Sequence, residues 1–237
     1  MEQHRIFDTE LEKLTRKVTQ MCELVNQQVD NTLHALLNCD NVLANQIIEN
    51  DVLVDKLDVK IDKLCQNIFA LQQPVASDLR FILSSLKINN DLERTGDHAV
   101  SIAKRIEAIS DYPDILQELG IPIVCEATTL LFKDVVNLVK SHNIVLSGDI
   151  FSSAADIKEK CHEISNKILI EMMHKSEVIV VATNIMVIVN LIERIAGYST
   201  NIAESIVFVV EGKIVKHSKK IFTSFDESNE NKQEEEI

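Results

Sequence analysis

The chain predicts an all-α protein of six helices, arranged as two pseudo-symmetric three-helix bundles, and three observations carry that expectation. Its 237 residues are 46% apolar, with only five glycines, three prolines, two tyrosines and no tryptophan. That is ample material for a core but too few turn signals for an all-β chain. Apolar residues recur at steps of three and four, the period of an amphipathic helix. The phrase "DLERTGDHAVSIAKRI", from Asp91, returns as "LIERIAGYSTNIAESI" from Leu191, and a constant offset of this kind marks an internal duplication.

The first helix is written by Leu11, Leu14, Val18, Met21 and Val25 and ends near Asn38. A second stripe, Val54, Leu57, Ile61, Leu64 and Ile68, stops at "QQP", because proline cannot continue a helix. The third helix starts between Pro74 and Asp78 and runs to about Ser110, with Leu79, Leu83 and Leu86 giving way to Asn90, Glu93 and Asp97 along one line. "DYPDILQELGIP" then gathers two prolines and a glycine, the strongest boundary in the chain. The expected organisation is therefore a first repeat over 1–111, a linker over 112–122, a second repeat over 123–217 and an acidic tail over 218–237. The tail has no apolar period and is expected to be disordered.

Beyond the linker, "VCEATTLLFKDVVNLVK", "AADIKEKCHEISNKILIEMM" and residues 178–212 give three more helices. The β-branched runs at 178–181 and 206–210 resemble strands locally, but their correspondence with the first copy decides for helix. "VIVVATNIMVIVNLI" falls short of the ~20 residues of a membrane span and holds Thr183, Asn184 and Asn190, so it reads as a buried core helix. Gly96, Ala99 and Ala103, matched by Ala196, Ser199 and Ala203, put small residues on one face of each copy and permit close helix approach.

Several function classes are disfavoured. The glycines stand alone at 96, 120, 148, 197 and 212, so no dinucleotide turn or Walker A loop can be written. The five cysteines form no CxxC pair and read as reduced, mostly buried thiols. The opening "MEQHRIFDTELEKL" is charged from its second residue, unlike a secretory leader, and the expected location is the cytoplasm. A formal charge of −13 opposes nonspecific attraction to nucleic acid or anionic lipid.

The acids of the third helix are harder to explain by packing. Glu93 and Asp97 are one turn apart on one face, a repulsive arrangement unless positive charge lies between them. The second helix carries its own series, Asp51, Asp55, Asp58 and Asp62. If the two helices pack antiparallel, Asp58, Asp62, Glu93 and Asp97 can converge on iron, zinc or magnesium. The competing reading is a solvated acidic face neutralised by lysines and Arg94.

"QQPVASDLRFILSSLKINNDLERTGDHAVSIAKRI", with the later "LIERIAGYSTNIAESIVFVVEGKIVKH", resembles the PhoU family of regulators associated with bacterial phosphate transport. The resemblance spans both halves. It implies two three-helix bundles acting as a cytosolic adaptor without enzymatic turnover. The adaptor would negatively regulate phosphate uptake and phosphate-starvation signalling by contacting the transporter's ATPase subunit, PstB, and the sensor histidine kinase, PhoR. It would reach the membrane only through those partners and bind no nucleic acid, organic cofactor or nucleotide; a homodimer is compatible with this reading. The family's metal motif, an acid followed four residues later by Asp, matches Asp58 with Asp62 and Glu93 with Asp97. In the second half the same positions are Lys158, His162, Glu193 and Gly197, so the expected metal site belongs to the first repeat alone.

Two other readings remain in play. One is a carboxylate-bridged metal protein for storage or catalysis, without a signalling role. Glu159 with His162 and Glu171 with His174 have the Glu-x-x-His spacing of di-iron bundles, but both pairs fall on one predicted helix. The other is a generic helical scaffold. His98 and His217 read as surface or capping histidines.

Overall fold

The computed structural model describes residues 2–213, with side chains from 7 onward. The chain forms α1 (Glu2–Asn38), α2 (Asn41–Asn50), α3 (Val52–Gln72), α4 (Ala76–Ala103), α5 (Pro113–Leu119), α6 (Ile121–Ser141), α7 (Val145–His174) and α8 (Ile179–Glu211), with short 3₁₀ turns at Glu107–Ile109 and Ser176–Val178. There is no strand among the described residues, and the β-branched run at 206–210 lies within α8. Helices α1, α3 and α4 form one three-helix bundle; α6, α7 and α8 form the other. The expected six long helices are thus joined by two short ones, α2 and α5. The acidic tail from 218 and His217 lie outside the described residues.

The core follows the predicted stripes. Leu14, Met21 and Val25 on α1, and Leu57, Ile61, Leu64 and Ile68 on α3, are buried, each large side chain contributing about 1.5–3 kcal/mol on removal from water. On α4 the buried line is Ile82, Ser85, Ile88, Asn89, Leu92 and Gly96. The expected leucine line is displaced from it: Leu83 is exposed, and Leu79 and Leu86 are half-buried. Helix α4 also ends earlier than expected, at Ala103. Backbone bonds Arg105 N–H to Ile102 O and Ile106 N–H to Ala103 O tighten the chain there into i to i+3 turns ahead of Pro113. The expected linker is itself structured, since α5 occupies 113–119 and Gly120, at φ +82, turns the chain directly into α6.

The two bundles meet chiefly along α4 and α8, with α1 against α6 beside them. Helices α4 and α8 run antiparallel. Lys87 stands 5.9 Å from the Phe208 ring, Asn201 donates to Asp91 at 3.4 Å, Arg94 donates to the Tyr198 hydroxyl at 3.5 Å, and Arg80 lies against Gly212. His98 and Tyr198, equivalent positions of the two repeats, face each other with ring centroids 5.4 Å apart. The pseudo-twofold axis passes beside them. Across the other seam, Lys140 pairs with Glu23 at 2.6 Å.

By length and composition residues 176–211 could cross a membrane, and 39% of their most apolar window is buried. Here Val181, Ile185, Ile188, Val189 and Ile192 face the core, while Thr183 and Asn190 face outward.

Candidate functional site

Helices α3 and α4 present one acidic face, because Asp58 and Asp62 follow the buried Leu57 and Ile61, and Glu93 and Asp97 follow the buried Leu92 and Gly96. The antiparallel register between the helices is fixed by Asn89. Its amide nitrogen donates to Asp58 Oδ1 at 2.6 Å, to the Asp58 carbonyl at 3.2 Å and to Asp62 Oδ1 at 3.3 Å. Asn89 is 1% exposed, so this buried amide ties two of the predicted acids together. Sequence reasoning missed it; its signal was an asparagine four residues before Glu93, on the same helix face as Glu93 and Asp97.

One turn further along, Glu93 lies opposite Asp58. Burial raises its pKa first, and the charges of Asp97, Asp58 and Asp55 add to that against relief from Arg94. Burial likewise raises Asp58, with Asp62 and Asp55 adding to it and Asn89 opposing. Asp97, besides acting on Glu93, is an electrostatic neighbour of Asp51. Asp51 is raised by burial and by Asp55 and Asp97, while Gln28 and Lys104 oppose the shift. Gln28 donates to Asp51 at 2.8 Å.

The predicted quartet therefore extends as a chain along the face: Asp58 interacts with Asp62 and Glu93, Glu93 with Asp97, and Asp97 with Asp51. Among the described residues no three His, Cys, Asp or Glu side chains stand close enough together to hold a metal ion. Nor does any of these six carboxylates form an ion pair with a Lys, Arg or His within 4.0 Å among the described residues. The donor set, hard oxygens without nearby lysine pairing, fits magnesium or iron better than zinc, which favours sulfur and nitrogen ligands.

The second repeat is chemically different. Lys158 Nζ lies 4.0 Å from Glu193 Oε1, a lysine ammonium beside the carboxylate that corresponds to Glu93. His162 is exposed, and a Cβ built on Gly197 would meet nothing within 4 Å. Glu159, His162, Glu171 and His174 all lie on α7. The two Glu-x-x-His pairs are thus about 18 Å apart along one helix, and Glu171 is engaged by Lys175 at 2.9 Å. They form no facing pair. His98 is not a surface residue: it is half-buried at the α4–α8 contact, its Nε2 lacks a hydrogen-bond partner, and burial followed by the charge of Arg194 lowers its pKa.

The fold and both repeats recur in known proteins. The PhoU domain model matches residues 18–106 and 121–206. A phosphate-specific transport system accessory protein PhoU homolog of Rhizobium meliloti is 33% identical over 208 residues, covering 87% of each chain. The homolog of Clostridium acetobutylicum is 29% identical over 214 residues, covering 89% of this chain and 97% of its own. The crystal structure of PhoU from Pseudomonas aeruginosa superposes with a TM-score of 0.81 at 26% identity, covering 87% of this chain and all of that one. The phosphate transport system regulatory protein PhoU from Streptococcus pneumoniae gives 0.78 at 27% identity, covering 89% of this chain and 99% of that one. With both repeats matched and the antiparallel α4–α8 architecture shared, the chain belongs to the PhoU family.

Proposed function

We propose that this protein is a cytosolic accessory and regulatory adaptor of phosphate transport. It restrains phosphate uptake and starvation signalling by linking the transporter's ATPase subunit, PstB, to the sensor kinase PhoR. The observation that carries this reading is the match of both repeats to relatives named as accessory proteins of the phosphate-specific transport system. Its role is to bind rather than to turn over a substrate, and it reaches the membrane through its partners. A strain lacking the protein should express phosphate-starvation genes in phosphate-rich medium, and PstB should co-purify with the tagged full chain. An unchanged starvation reporter together with absence of PstB from the eluate would overturn the reading.

A second reading concerns the acidic face. Carboxylates that raise one another's pKa, without a cationic side chain paired to them, favour a multivalent cation. Asp58, Asp62 and Glu93, with Asp97 one turn further on, would hold it once Asn89 moves aside, and the ion would neutralise the α3–α4 face. Glu193 would contribute nothing, since Lys158 already stands beside it. Metal content measured on the wild type, on Glu93→Gln with Asp97→Asn, and on Glu193→Gln tests this. The first-repeat variant should lose its metal and the second-repeat variant keep it; equal loss from both places the site elsewhere.

A further inference from the structure

A different group of side chains lies at the seam between the repeats. The protein carries 37 acidic and 24 basic residues, and among the described residues several of its surface cations have no carboxylate within 4.0 Å. Arg94 and Arg194 are two such cations, at equivalent positions of the two repeats. Among the described residues neither forms an ion pair within 4.0 Å. Arg94 has only a long hydrogen bond, 3.5 Å, to the Tyr198 hydroxyl. Because α4 and α8 are antiparallel, the two guanidinium groups flank the contact between His98 and Tyr198, and both act on His98 electrostatically.

Beside this contact lies an open hollow of about 620 Å³, lined by Asn190, Glu193, Arg194, Gly197, Tyr198 and Asn201, with Thr200 at its edge. Gly197 forms its floor: the counterpart in the first repeat is Asp97, and here there is no side chain at all. The donors that reach it are lightly engaged, Asn201 donating to Asp91 at 3.4 Å. The carboxylates nearby are accounted for. Glu193 is beside Lys158 at 4.0 Å, Asp91 accepts from Asn201, and Glu93 belongs to the α3–α4 face. Asp97 lies near enough to His98 to oppose the effect of the arginines.

We propose that this hollow is an anion site that takes a phosphate oxyanion, free or as a monoester, on Arg194, with Tyr198, Asn190 and Asn201 as neutral donors and Arg94 beside it, hydrogen-bonded to the Tyr198 hydroxyl. Guanidinium groups suit the task because their planar fork matches phosphate oxygens and they are weakly hydrated. Replacing Asp97 by glycine in the second repeat removes the charge that would repel such a ligand and opens room for it. The glycine that stands where the first repeat has an acid thus leaves open space beside Arg194. The site stands independently of the transport-adaptor reading, since its test needs no partner protein.

Calorimetric titration of the full chain with inorganic phosphate and, separately, with AMP at constant chloride concentration tests the proposal. Saturable binding of either probe is expected, weakened at least tenfold by Arg194→Gln and by Arg94→Gln, partly retained in Arg194→Lys, and unchanged in Lys63→Gln on α3. Tighter binding of phosphate than of AMP identifies the free ion as the ligand; the reverse order identifies a phosphate ester. Both arginines are exposed, so the variants should fold, and their far-ultraviolet circular dichroism checks that they do. Absence of saturable binding by both probes, or equal affinity in the two glutamine variants and the wild type, would overturn the proposal.

Discussion

Asp58 and Glu93 hold their charges on the α3–α4 face at a cost, and the sign of that cost sets a pH dependence. Both pKa values are raised in the folded protein, by burial first and like charges second. The folded state therefore binds these protons at higher pH than the unfolded chain does. Their contribution to stability is fully present below the ordinary carboxylate range and is lost as pH rises through the raised folded values. In the absence of divalent metal, thermal midpoints should rise as pH falls from about 6 toward about 4, and Asp58→Asn with Glu93→Gln should flatten that rise. His98 works in the opposite sense. Its lowered pKa means stability declines as pH falls through about 6.5, so the carboxylate measurement is cleanest in a His98→Gln background. At neutral pH, Glu93→Gln should also stabilise by ~0.2–0.5 kcal/mol through relief of its i, i+4 repulsion with Asp97, measurable by urea denaturation.

With glycine scarce, several helix reversals are made by residues that tolerate the left-handed region poorly. Cys39 at φ 50, Gln73 at φ 46 and His142 at φ 52 close α1, α3 and α6. Each such L-residue costs roughly 1–2 kcal/mol relative to ordinary backbone. Gln73→Gly and His142→Gly should therefore each raise unfolding free energy by about 0.5–1 kcal/mol, after the entropy glycine adds to the unfolded chain is subtracted. The two glycines inside α4 and α8 should respond oppositely to enlargement. A Cβ at Gly96 would sit 3.1 Å from Gln28 Oε1 and 3.4 Å from Val54 Cγ1, where α4 approaches α1 and α3. Gly96→Leu should cost about 1–3 kcal/mol by overpacking. Gly197 has no neighbour within 4 Å, so Gly197→Ala should gain about 0.8–1 kcal/mol from helix propensity alone. Equal effects at both positions would show that the close approach at Gly96 is not what limits it.

At the scale of the whole molecule, each bundle completes the other, because the buried sides of α4 and α8 face one another across the seam. A single cooperative transition is expected on denaturation. Fragments separated within 112–122 should recover helicity fully only when mixed, as read by circular dichroism. Thiol chemistry offers an independent probe. Cys22, Cys65 and Cys161 are pushed up to about 12, and Cys125 higher still, chiefly by burial, whereas Cys39 is partly exposed. Labelling at pH 8 should modify Cys39 first and the other four at the rate of unfolding. Rapid native labelling of Cys125 or Cys161 would contradict the packing of α6 against α7.

The six long helices, most core faces and the duplication were legible along the chain because each rests on local periodicity: a residue at i and one at i+4 share a face wherever the helix lies. The chemical difference between the two halves was also legible, since Lys158 and Gly197 are changes of residue type at equivalent positions, and Lys158 stands 4.0 Å from Glu193. What spacing within one helix cannot encode is the translation of one helix along another. Asp62 and Asp51 are eleven residues apart, about 16 Å along α3, so a slide of about three turns decides which of them Asp97 meets, and the buried Asn89 amide between Asp58 and Asp62 settles that register. The antiparallel crossing of α4 and α8 is likewise a property of packing. It brings Arg94 and His98 beside Arg194 and Tyr198, residues about a hundred positions apart whose meeting depends on which small-residue faces interlock, because close helix approach is set by shape complementarity across the seam rather than by either sequence stripe on its own.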